Sequence, residues 1–135
     1  LAGSTGCGTI TWCTGERALI DHVVPRITAA AEAAGHPAPR IVAGLPVCVT
    51  ADPDAARTLV AEQLAVYGGL PSYRAMLDLE GAAGPADVAI AGNEKQVAAQ
   101  LQRLSDGGVT EFSAVIAAPD AEDRDRTWQL LRWLR

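Results

Sequence analysis

Residues 40–50 read RIVAGLPVCVT, and residues 51–57 continue ADPDAAR. The first run is mostly apolar and lacks polar alternation, the pattern of a parallel strand covered on both faces. We read Arg40–Thr50 as that strand. Pro46 lies inside it and has no N–H to give to a ladder, so a bulge or a departure from pairing is expected near the strand's end. Asp52 followed by Pro53 is a helix start: a side-chain acceptor for first-turn amides, then a ring whose missing N–H costs nothing at the first helical position. A buried strand running straight into a helix is the repeating unit of alternating α/β folds.

The same unit recurs on either side. Upstream, the glycine-rich GSTGCG enters a β-branched strand at Thr9–Trp12, and a helix follows from about Gly15 with Thr14 as its expected N-cap. Ile20, Val23, Val24 and Ile27 are spaced as one helical face. Pro25 should kink or divide that helix, and Gly35 should close it. Before the first strand, Leu1-Ala2-Gly3 reads as the tail of a helix and its glycine terminator.

Downstream, Ala56, Leu59, Val60, Gln63 and Leu64 mark one face of the helix begun at Pro53, which Gly68, Gly69 and Pro71 interrupt before a second short helix. Asn93 and Gln96 form a capping-box pattern, and Val97, Leu101 and Leu104 form the inward face of the helix they open. Glu111–Ala118 is the third strand. The last helix, from Asp120, is expected to turn Trp128, Leu131 and Leu134 inward. The order β-α-β-α-α-β-α predicts three parallel strands, adjacent in chain order, joined by right-handed crossover helices.

Composition narrows the function classes. A chain of 135 residues fits one domain of ordinary size. Its net charge of −5 is interspersed, without the basic stripe that nucleic-acid binding needs. No run approaches the ~18 apolar residues that would span a bilayer, and no secretory signal is visible, so a soluble cytoplasmic protein is expected. Cys7, Cys13 and Cys48 make an odd count without a C-x-x-C pair, arguing for buried free thiols over a disulfide framework or zinc ribbon. His22 and His36 have no partners at ligand spacing, so no metal site is expected. GSTGCGT precedes its strand and lacks a Gly-Lys-Ser/Thr continuation, which makes it a turn and not a phosphate-cradling loop.

Four segments in succession, GTITWCTG (8–15), IVAGLPVCVTADPDAAR (41–57), YGGLPSYRAMLDLEG (67–81) and IAGNEKQVAAQLQRLSDGGVTEF (90–112), resemble the C-terminal third of the luciferase-like monooxygenase family, and within it the F420-dependent oxidoreductase branch. The resemblance covers almost the whole chain. One departure stands at Gly6-Cys7-Gly8, where the family usually has Ala-Asp-Gly, so the role of that acidic residue is not carried over.

The resemblance implies the C-terminal part of a (β/α)8 TIM barrel, with residues 1–135 a single partial domain supplying the last three strands and five strands lying outside it. It implies an oxidoreductase that uses coenzyme F420, or FMN as the alternative, to transfer hydride or oxygen to or from a small organic substrate. Catalytic residues would come from the earlier strands, and none is assigned here. In such a barrel the loop after a strand lies on the catalytic face and a following helix N-terminus can meet a phosphate, which makes Cys13, Thr14 and Gly15 candidates for cofactor contact. Simple helix capping is the competing reading. Tyr73 is the candidate for covering a substrate pocket, against ordinary packing with its hydroxyl at the rim. Open strand edges lead us to expect association, as a homo-oligomer. The alternatives are a non-catalytic half-barrel that serves in assembly or partner binding, and a self-sufficient three-stranded α/β domain.

Overall fold

The computed structural model describes residues 1–134. A helical turn α1 (Ala2–Thr5) precedes β1 (Gly8–Trp12); then come α2 (Glu16–Ala18), a π-turn over Leu19–Val23, and α3 (Val24–Ala33). β2 (Arg40–Val49), α4 (Pro53–Gln63) and α5 (Pro71–Glu80) follow, then β3 (Ile90–Gly92), α6 (Glu94–Asp106), β4 (Glu111–Ile116) and α7 (Ala121–Trp133). No described helix is long and apolar enough to cross a membrane.

All strands are parallel and all pair with β2: β1 along Arg40–Gly44, β4 along Val42–Val47, and β3 along Val47–Val49. The expected order, with β1 and β4 on either side of β2, is therefore present. The short strand β3 was not foreseen, because three residues are too few to show a period of two. Backbone groups of a strand alternate between its two neighbours. Arg40 N–H donates to Cys7 and Gly44 C=O accepts from Cys13, so even residues of β2 serve β1; Thr50 N–H donates to Gly92 on the same edge. Val47 C=O accepts from Ala117, so odd residues serve β4.

This alternation explains why Pro46 produces no bulge. Pro46 stays in register opposite Val115. Its missing N–H falls on the other edge, in the gap between the last β1 pair, Trp12 with Gly44, and the first β3 pair, Val47 with Ile90. Lacking a donor there, β1 ends and the chain leaves it through Cys13, whose φ of 52° makes it the one non-glycine residue with positive φ among the described residues. At the other end of β1, Gly8 crosses so close to β2 that a Cβ would lie 1.8 Å from the Arg40 carbonyl oxygen.

The two sheet faces differ. Ile41, Ala43, Leu45, Val47 and Val49, each 1% exposed or less, form the core with Leu19 of the π-turn and with Val97 and Leu104 of α6. The opposite face, which carries Ile10, Val42, Ser113 and Val115 by register, is open: Ile10 is 76% and Val115 45% exposed. At its N-terminal end Arg40 forms a two-pronged pair with Glu111, at 2.6 and 2.7 Å, which holds the Glu111 carboxyl below its usual range.

Local signals hold at most helix ends. Asp52, Asn93 and Asp120 each accept from a first-turn amide, and Gln96 returns the bond of the capping box. Gly35, at φ 70°, closes α3. Pro25 divides the first long helix through the π-turn, whose wider ring makes room where the proline would crowd the carbonyl of Asp21. Gly3 is no terminator: it is buried inside α1, where a Cβ would lie 2.5 Å from the carbonyl of Ile27 on α3.

α7 corrects the expected inward face. Trp128 is 52% and Leu134 40% exposed, whereas Thr127 is fully buried and Leu130 and Leu131 pack on the core. Thr127 Oγ1 accepts the N–H of Val49 at 2.7 Å and donates to the Asp123 carbonyl. The hydroxyl thus continues the β2 ladder beyond the end of β4, and this bond fixes the roll of α7; Trp128, ~100° further round the helix, points outward. Thr127→Val, nearly isosteric, should leave the Val49 N–H buried without an acceptor and cost about 1–3 kcal/mol in urea unfolding, whereas Thr127→Ser should retain most of the stability.

Candidate functional site

Parallel strands end on one side, and here that side gathers Trp12, Val49, Gly92 and Ile116. In α/β sheets and barrels this is where ligands bind. The segment 51–89 folds back over it: Val60 of α4 is buried with Ala89 and Ala117, and Leu64 and Ala86 pack on them.

The turn after β1 is closed from within. Cys13 is fully buried and Thr14 3% exposed. The N-cap of α2 is Gly15, not Thr14, and no side chain of the turn caps the helix. Glu80 does so from the far end of α5: its Oε2 accepts the N–H of Ala18 at 2.8 Å. Its side chain crosses Gly15 so closely that a Cβ there would lie 2.2 Å from the Glu80 Cδ. Arg17 completes the latch by donating twice to the Leu79 carbonyl, at 3.2 and 2.6 Å. A helix N-terminus favours an anion, and in this structure the anion is an internal carboxylate. The turn is thus closed by the protein's own carboxylate, and an outside anion reaches the Ala18 amide only if Glu80 swings away.

Trp12 meets Tyr67 edge-on at a centroid distance of 6.3 Å, and Tyr67 meets Tyr73 in the same way at 4.8 Å. The structure therefore brings both tyrosines and one tryptophan to the strand ends, with Tyr73 behind Tyr67. Two contributors had escaped the sequence reading. Glu80 is one, and its partner lies 62 residues away with no local signal. Tyr67 is the other; it stands in the glycine-rich interruption between two helices. Arg74 beside Tyr73 is committed to structure: it pairs with Asp78 at 2.8 Å and donates to the carbonyls of Ala82 and Ala83.

Burial pushes the Cys13 and Cys48 thiols up to about 11, so both stay protonated near neutrality and neither is a nucleophile. Cys7, expected to be buried, is exposed on the turn before β1. The histidines have other partners, His22 with Arg26 at 2.8 Å and His36 with the Ser4 carbonyl at 3.1 Å. Among the described residues no group of His, Cys, Asp or Glu could hold a metal ion. A cavity of about 790 Å³ lies away from the strand ends, on the helix side of β4 between α6 and α7, beside Leu101, Phe112, Trp128 and Leu131.

Three experiments check this geometry. Glu80→Ala should cost about 0.5–2 kcal/mol by removing the cap. Gly15→Ala should be destabilising alone but well tolerated once Glu80 is alanine, because the collision is with that side chain; denaturation of both single variants and the double variant reads the coupling. A chromogenic disulfide reagent at neutral pH should label one thiol of the native protein quickly, at Cys7. The stabilising effect of the two buried thiols is intact below the ordinary thiol pKa of 9.0 and is lost as pH rises through about 11, so stability should fall in that window.

The sequence profile described as luciferase-like monooxygenase matches residues 1–120. No curated protein sequence matches significantly. Among solved structures, the chain superposes on an F420-dependent secondary alcohol dehydrogenase in complex with an F420-acetone adduct, with a TM-score of 0.73 and 16% identity, covering 99% of this chain and 44% of that one. It also superposes on the coenzyme F420-dependent tetrahydromethanopterin reductase of Methanopyrus kandleri, with a TM-score of 0.68 and 19% identity, covering 96% of this chain and 44% of that one. This chain thus spans less than half the length of either enzyme. With its parallel sheet, its crossover helices and a profile match over nearly its whole length, the chain belongs to the luciferase-like monooxygenase family.

Proposed function

We propose that residues 1–135 form a single partial domain, the C-terminal βα units of a (β/α)8 barrel oxidoreductase that uses coenzyme F420, and that acts in the cytoplasm on a small organic substrate. The observation that carries this reading is the sheet itself: among the described residues β1 and β4 each pair only with β2, so each presents an edge to further strands, and the face with Ile10 and Val115 is open. Five more strands would close both edges and cover that face. Both solved structures on which the chain superposes are described as F420-dependent, which favours F420 over FMN.

When bound, the deazaflavin supplies hydride chemistry, and the protein's part is to bind and orient. On this reading the turn Cys13-Thr14-Gly15 would hold the cofactor, and the Ala18 amide that now meets Glu80 would be free for a phosphate once Glu80 had moved. The neutral thiols of Cys13 and Cys48 take no part in proton transfer. Tyr73 serves the substrate side through Tyr67. The acid and base of the reaction belong to the strands outside this chain.

The test is titration of the complete barrel polypeptide with F420 and, separately, with FMN, followed by absorbance and fluorescence. Saturable F420 binding with FMN much weaker supports the reading; binding of neither contradicts it and favours the non-catalytic half-barrel. Glu80→Gln, which removes the competing charge, should tighten F420 binding up to about tenfold, or ~1.4 kcal/mol. An unchanged affinity would place the phosphate elsewhere.

A further inference from the structure

We draw no further inference here: the strongest candidate, the cavity between α6 and α7 on the helix side of β4 beside Leu101, Phe112, Trp128 and Leu131, is an apolar groove for which nothing in the structure shows what covers it in a chain that spans less than half of its structural neighbours.

Discussion

Every strand in this protein is held by β2. Its backbone groups face alternately to two sides, so even residues hold β1 and β3 while odd residues hold β4. A proline in the middle of such a strand is tolerable only where its silent position meets no acceptor, and Pro46 stands at the break between β1 and β3. That break sets the length of β1 and the point at which the chain leaves it through the left-handed Cys13. On the other edge β4 stops early, and the hydroxyl of Thr127 takes up the amide of Val49 that a longer strand would have bonded. The ends of three elements thus follow from the pairing geometry of one strand.

The strand ends are then covered by α4, α5 and the turns between them, and this layer is tied to the first helix through Glu80 and Arg17. Gly15 is required less for backbone freedom than for the absence of a side chain beneath Glu80. The carboxylate satisfies a helix N-terminus that would otherwise attract an anion from solution. Occupation of that position is coupled to the seating of α5, and through α5 to Tyr73 and Tyr67.

The sequence made the repeating units legible because their signals are local. The unbroken apolar run of β2, the Asp52-Pro53 start and the Asn93/Gln96 box each depend on residues within one turn or one strand of each other. What could not be read involves distance. Glu80 caps a helix from 62 positions away, and Thr127 completes a ladder from 78 positions away. The roll of α7 follows from the second of these, which is why apolar spacing alone misassigned Trp128 and Leu134. The irregularity expected at Pro46 depended on which edge its N–H would face, and that is set by register. At the site, the resemblance pointed to Cys13–Gly15 and Tyr73, but Glu80 and Tyr67, although they stand in the same segment as Tyr73, act on Ala18 and Trp12 far away in the sequence, and no local pattern shows that.

Amide hydrogen exchange read residue by residue tests the central role of β2 most directly. On β1 the amide of Cys13 points to β2, so by alternation those of Ile10 and Trp12 point to the outer edge. In the chain by itself, at low concentration, the amides of β2 flanking Pro46 should be among the slowest to exchange and those of Ile10 and Trp12 should be fast; in a polypeptide that carries the proposed further strands, Ile10 and Trp12 should become protected. Slow exchange at Ile10 and Trp12 in the monomeric chain, or fast exchange along β2, would contradict a sheet built outward from β2 with its edges open to further strands.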